Sequence, residues 1–141
     1  MNRILVGIDG SDCGWSALAQ AALLAQATGA SLQIAHVIPP VPALAAEGYQ
    51  LGAPAWMEAE DTYARNLLRE ATARVKDTGV QVESISVLGG PAEKLADLAL
   101  AKEVTMAVVG HRGRNLAARL LVGSVADRLV QISSKPVLVV H

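Results

Sequence analysis

Residues 105–113 of the chain read TMAVVGHRG, and nine residues later residues 123–125 read GSV. The first stretch begins as an apolar run typical of a buried strand and then enters a loop marked by Gly110 and Gly113. After Gly123, apolar residues recur at helical spacing, which predicts a helix over residues 124–132. The order of buried strand, glycine-marked loop and helix indicates an α/β fold, in which crossover helices join parallel strands.

The same alternation of strand and helix runs through the rest of the chain. The residue patterns predict strands over 3–8, 32–38, 80–88, 105–109 and 136–140, and helices over 15–28, 57–78, 91–102 and 124–132. Prolines, glycines and small residues predict a long surface loop over 39–54. We therefore expect one domain spanning residues 1–141, with a mostly parallel five-stranded sheet covered by helices on both faces.

Composition and charge exclude several classes of function. Among 141 residues, 12 Lys and Arg stand against 13 Asp and Glu, so no net field favours nucleic acid or an anionic membrane. No apolar run reaches the roughly 18 residues of a membrane helix, and the first residues do not resemble a signal peptide. Cys13 is the single cysteine, so no internal disulfide can form. We expect a cytoplasmic protein with neither nucleic-acid nor membrane partners.

The glycine-marked loop is a candidate phosphate site. Glycine can adopt positive φ and leaves backbone N–H groups accessible, so Gly110 and Gly113 can form an anion cradle. Gly123 and Ser124 add the start of a helix, whose free N–H groups favour phosphate, and Arg112 with Arg114 can screen charge.

An alternative reading gives these residues no ligand. In it Ser124 is an ordinary N-cap, paired with Asp127 in a variant capping box. Short glycine spacings also arise by chance.

Five features together resemble the universal stress protein family. They are the opening stretch from Ile4 to Ser11, the pair His36-Val37, the turn Gly89-Gly90-Pro91, the closing stretch from Lys135 to Val140, and the G-x2-G-x9-G-S pattern of Gly110, Gly113, Gly123 and Ser124. The resemblance covers nearly the whole chain. His111 departs from it, because many members carry Ser or Thr there.

The resemblance implies a Rossmann-like sheet of the adenine nucleotide alpha hydrolase type, with strand order 3-2-1-4-5 and ATP, alone or with Mg²⁺, across the point where strand order reverses. Gly7 and Asp9 would lie by the adenosine, and Val37 would offer backbone groups to the adenine edge. The remaining binding positions, near the ribose and phosphates, would be Val109, Gly110, Gly113, Gly123, Ser124 and Val125, with Arg112 beside them. The resemblance also implies a homodimer paired through residues 136–140.

We expect no catalytic residues in this chain. The chain has no Walker A pattern and no Lys in the glycine loop, so fast phosphoryl transfer is not expected. Asp9 reads as a ligand contact rather than a base, and His36, His111 and His141 are scattered without metal-ligand spacing. We expect an ATP-binding stress or signalling protein. A slow Mg²⁺-dependent nucleotide hydrolase and an interaction module with an empty cleft are the alternatives.

Overall fold

The computed structural model describes residues 2–40, 52–112 and 123–141, and the backbone alone at 52 and 53. Strands and helices alternate along these ranges. In chain order they are β1 (Arg3–Gly7), α1 (Asp12–Thr28), β2 (Ser31–Ile38), α2 (Gly52–Val75) with a following 3₁₀ turn (Lys76–Thr78), β3 (Val82–Leu88), α3 (Pro91–Ala99), β4 (Val104–Gly110), α4 (Ser124–Ile132) and β5 (Val137–Val140).

The five strands form one parallel sheet in the order β3-β2-β1-β4-β5. Val6 of β1 pairs with Ile34 of β2 on one side and with Val108 of β4 on the other. The strand order therefore reverses between β1 and β4 at the centre of the sheet, and a crevice forms beyond the strand ends at such a point. The predicted α/β class and strand order are confirmed.

Each face of the sheet carries its own apolar layer, because successive side chains of a strand point to opposite faces. Ile4, Val6 and Ile34 pack with the buried sides of α1 and α2. Leu5, Ala35 and the apolar residues of β4 that face the other way pack with α3 and α4. Helices on both faces are thus confirmed. Across the described residues, no helix is long and apolar enough to span a bilayer.

Several element boundaries differ from the prediction by a few residues, among them the start of α1 at Asp12 and of β3 at Val82, and two of the differences have a local cause. Helix α2 begins at Gly52, so ending the loop at Pro54 was wrong. Pro54 lies in the first helical turn, where its missing N–H leaves no intrahelical hydrogen bond unmade. Helix α3 ends at Ala99 rather than at 102, because Leu100 N–H turns back to Asp97 O in a tight final turn. Residues 41–51, most of the predicted loop, lie outside the described residues.

Candidate functional site

A cleft of about 440 Å³ lies beyond the ends of β1, β2 and β4, where the strand order reverses. The first turns of α2, α3 and α4 form its other walls. The predicted site residues that line it are Gly7, Asp9, Val37, Val109, Gly110, Arg112, Gly123, Ser124 and Val125. Gly113, the tenth predicted position, lies outside the described residues, as does Arg114.

Asp9 is held at the cleft by the start of α1. Its Oδ1 accepts hydrogen bonds from Ser11 N–H at 3.0 Å and from the Ser11 hydroxyl at 2.5 Å. The Ser11 Oγ also accepts from Gly14 N–H at 3.1 Å and is thereby the N-cap of α1. The Tyr63 hydroxyl donates to Asp9 O at 2.6 Å from α2. Ser11 at the start of α1 therefore positions the carboxyl group of Asp9, and Tyr63 of α2 holds its main chain.

Gly110 lies where β4 meets the first turn of α1. A Cβ at this position would be 2.7 Å from the Cys13 carbonyl carbon and 2.8 Å from both its Cβ and its carbonyl oxygen. The backbone φ of Gly110 is not positive; among the described glycines, positive φ occurs at Gly10, Gly29, Gly79 and Gly89. Positive φ was thus the wrong reason for a glycine here. The residue must be small because strand and helix backbones touch.

The backbone of Val37 faces the cleft from β2. Ala35 O accepts from Ile8 N–H at 2.9 Å, so the backbone groups of Ala35 point toward β1. Val37 is two residues further on, and its N–H and C=O point to the same side. The last pair between β1 and β2 is Gly7 with Ala35, so these groups face the space into which β1 does not continue.

Helix α4 begins at the opposite end of the cleft. Its N-cap is Gly123, at φ −59° and ψ 151°, and no side chain of the described residues caps this terminus. The Gly123 N–H donates to His111 O at 2.7 Å. Ser124 is the first helical residue and is exposed, so the alternative that it is the N-cap is wrong. A helix start that no side chain caps presents free N–H groups and partial positive charge.

His111 and His141 form a stacked pair beside this helix start. Their ring centroids are 4.3 Å apart with 28° between the ring planes. The His111 N–H donates to Val140 O at 2.6 Å, which aligns the end of β4 with the end of β5. Burial, and then the positive charges of His141 and Arg112, lower the pKa of His111 below its ordinary 6.5. The prediction that the histidines are scattered was wrong for this pair.

Four buried polar atoms belong to residues that line the cleft and have no hydrogen-bond partner within the described ranges. They are His36 Nε2, Trp56 Nε1, Glu60 Oε2 and Arg112 Nε. Buried polar atoms are nearly always paired in folded proteins, so their concentration at one cleft indicates a polar ligand. Trp56 and Glu60 are not among the predicted site residues, because the apolar stripe of α2 indicated only core. Their spacing with Tyr63, which places all three on one helix face, was the available signal.

A sequence model described as the universal stress protein family matches residues 1–141. The chain belongs to the universal stress protein family. One relative within the family is "Universal stress protein YxiE" of Bacillus subtilis, which is 34% identical over 148 residues; the match covers 99% of each chain.

Solved structures of universal stress proteins have the same Rossmann-like fold. UspA from Lactobacillus plantarum superimposes with a TM-score of 0.84 at 25% identity, over 99% of this chain and 97% of that one. A universal stress protein in complex with cAMP superimposes with a TM-score of 0.75 at 32% identity, again over 99% and 97%. The family and the fold are therefore shown, and an adenine nucleotide is bound by one similar member.

Proposed function

We propose that this universal stress protein binds ATP in the cleft, with or without Mg²⁺, and acts as a nucleotide-dependent stress-response or signalling protein of the cytoplasm. The observation that carries the proposal is the difference between the two ends of the cleft. One end has backbone groups of β2 beyond the end of β1, and the other has the uncapped start of α4. A nucleotide has the matching polarity, with a hydrogen-bonding base at one end and an anion at the other.

The β2 end suits an adenine base. Adenine carries an amino donor next to a ring-nitrogen acceptor, which can pair with a backbone C=O and N–H that face the same way. Val37 supplies one of each toward the cleft. Guanine carries a carbonyl oxygen where adenine has its amino group, so it would set an acceptor against an acceptor. The ligand of the similar member, cAMP, also has adenine as its base.

The α4 end suits phosphates. Helix N-termini bind anions through free N–H groups and the helix dipole. Arg112 adds a cation whose Nε has no protein partner among the described residues, and His111 adds an imidazole beside it. These groups bind and orient a polyphosphate. The described residues that line the cleft include no Lys to neutralise a transferring phosphoryl group, which supports binding rather than fast hydrolysis.

Calorimetric titration of the purified protein tests this function. We expect ATP to bind one per chain with a Kd in the micromolar range, and GTP to bind at least about tenfold more weakly, since one mispaired buried hydrogen bond has about that effect. Because ATP and GTP carry the same ribose and triphosphate, the difference between their Kd values measures the contribution of the base. Absence of heat with ATP, together with absence of nucleotide in protein purified from cells, would contradict the proposal.

We further expect nucleotide affinity to rise as the pH falls. The pKa of His111 is lowered in the free protein, and a phosphate nearby favours the charged imidazolium and raises that pKa. Binding then takes up a proton, so affinity increases as the pH falls through the bound-state pKa and levels off below the free-state pKa. We expect about a twofold to fivefold gain between pH 8 and pH 5.5, because exposed charge pairs contribute little.

Titration of His111→Asn with ATP at the same two pH values is the control for that experiment. Protonation of ATP itself changes the Kd of both proteins equally, so the difference between their pH dependences is due to His111. The interpretation fails if the variant keeps the same pH dependence as the parent protein.

We also propose a homodimer that pairs through β5. Among the described strands β5 is at the edge of the sheet, where it pairs with β4, and its four apolar residues are half-buried. An exposed apolar edge strand favours pairing with another strand. Sedimentation equilibrium is expected to give twice the chain mass. Residues 136 and 140 accept hydrogen bonds from β4, so the N–H of Val139 points to the open edge. Val139→Pro, which removes that N–H, is expected to shift the mass toward the monomer.

A further inference from the structure

Helix α2 forms one wall of the cleft. This wall carries polar side chains that take no part in the proposed phosphate contacts. Trp56 and Glu60 are four residues apart in the first turns of α2, and both line the cleft. Tyr63 lies on the same face one turn later and contacts the edge of the His36 ring, with 5.7 Å between ring centroids. His36 of β2 lines the cleft under this helix face.

The hydrogen-bonding state of His36 follows from its neighbours. Its Nδ1 lies 2.8 Å from Ile8 O. A carbonyl oxygen can only accept a hydrogen bond, so Nδ1 is the donor, and in a ring with a single proton Nε2 is then an acceptor. The side chain is 98% buried, since the residue is only 2% exposed, yet Nε2 has no partner among the described residues. A buried acceptor is therefore presented beside the cleft without a donor.

Glu60, like His36, has a buried acceptor atom without a described donor. Its Oε2 is buried and has no hydrogen-bond partner in the part of the chain that the structure describes. The cleft also contains Arg112 and the start of α4, which attract anions. A carboxylate in the same cleft opposes anion binding unless the ligand also brings a hydrogen-bond donor to it. Trp56 Nε1, a buried donor without a described partner, completes the set.

We propose that Glu60, His36 and Trp56 form a second subsite of the cleft that binds a neutral hydrogen-bond donor of the nucleotide and so selects among nucleotides. The donor is either the O–H of a sugar hydroxyl or the amino N–H of the base that the Val37 carbonyl does not use, and each can satisfy one of the two acceptors. A sugar hydroxyl can in addition accept from Trp56 Nε1. This inference rests on the proposed nucleotide binding and adds to it a determinant of ligand choice.

Titration of Glu60→Gln with ATP tests the subsite directly. The variant keeps the shape of the side chain and removes its charge, so we expect ATP to bind about tenfold more weakly, as for the loss of a charged hydrogen bond. The matched control is Glu58→Gln, which makes the same change of charge two residues away on an exposed side of α2. We expect the control to bind ATP within about twofold of the parent protein.

Analogues that lack one donor each identify the group that Glu60 binds. Titrations use 2′-deoxyATP, 3′-deoxyATP and purine riboside triphosphate, which lacks the amino group. The analogue without the relevant donor is expected to bind the parent protein more weakly and to lose no further affinity in Glu60→Gln. Equal losses for ATP and all three analogues in Glu60→Gln would overturn the proposal, as would stronger ATP binding by that variant, which would show simple repulsion of phosphate.

Thermal unfolding of the ligand-free proteins separates this role from a structural one. Because Glu60 Oε2 has no described partner, Glu60→Gln is expected to keep the Tm of the parent protein or to raise it. A lowered Tm together with an unselective loss of affinity would indicate damage to the fold and would count against the subsite. If ATP binds the parent protein and Glu60→Gln alike, the subsite fails while the nucleotide function stands. If nothing binds the parent protein, both fail.

Discussion

Replacing Gly110 with alanine is expected to lower the free energy of unfolding by about 3 kcal/mol, near the upper end for overpacking a close contact. The added Cβ would lie 2.7 to 2.8 Å from Cys13 backbone atoms. Backbone atoms in a helix cannot move aside as a side chain can, so α1 and β4 must separate. This contact lies where the end of β4 meets the start of α1, so such a separation loosens the apolar layer that α1 forms with the sheet. Urea unfolding followed by circular dichroism measures the change.

Gly7→Ala is the matched control for this stability experiment. Its Cβ would come equally close to a neighbour, at 2.7 Å, but that neighbour is the Cδ1 methyl of Leu95. A flexible side-chain end can rotate away, so we expect a loss of about 1 kcal/mol or less. If Gly110→Ala and Gly7→Ala were equally stable, close contact of backbones would not be the reason for glycine at position 110.

Replacing Gly123 with valine is expected to weaken ATP binding by about a hundredfold while the fold survives. The φ of −59° and ψ of 151° at this N-cap are allowed for any residue, so valine adds no backbone strain. Its side chain would add bulk where Gly123 lines the cleft at the start of α4. Losing two hydrogen bonds to a charged phosphate accounts for a change of this size. Calorimetry gives the Kd, and circular dichroism monitors the fold.

Gly90→Val is the control for that variant. Gly90 is the N-cap of α3 in a similar extended conformation, with φ −68° and ψ 127°, and it also lacks a side-chain cap. A Cβ there would meet the exposed side chain of Glu93, whose Oε2 lies at 2.6 Å. We expect Gly90→Val to keep ATP binding within about threefold. Equal affinity of Gly123→Val and the parent protein would remove α4 from the phosphate site.

Local patterns were sufficient to predict the architecture. The apolar run at 105–109 and the helix at 124–132 were read from residue spacing alone, and the alternation of such units implied parallel strands. The strand order came from the resemblance to universal stress proteins, and the structure confirms it. Nine of the ten predicted site residues line one cleft for the same reason, since the ends of parallel strands meet at one edge of the sheet.

The sequence by itself therefore determined the alternating elements, the two apolar layers and the edge of the sheet at which a ligand can bind. Only the tertiary structure decided that Gly110 is small because it touches Cys13, that His111 stacks on His141, and that Glu60 and Trp56 face the cleft. The physical reason is range. The periodicity of a sequence depends on contacts between residues a few positions apart along the chain. The contacts named above join residues far apart in sequence, which the packing of α1 and α2 on the sheet and the pairing of β5 with β4 bring together.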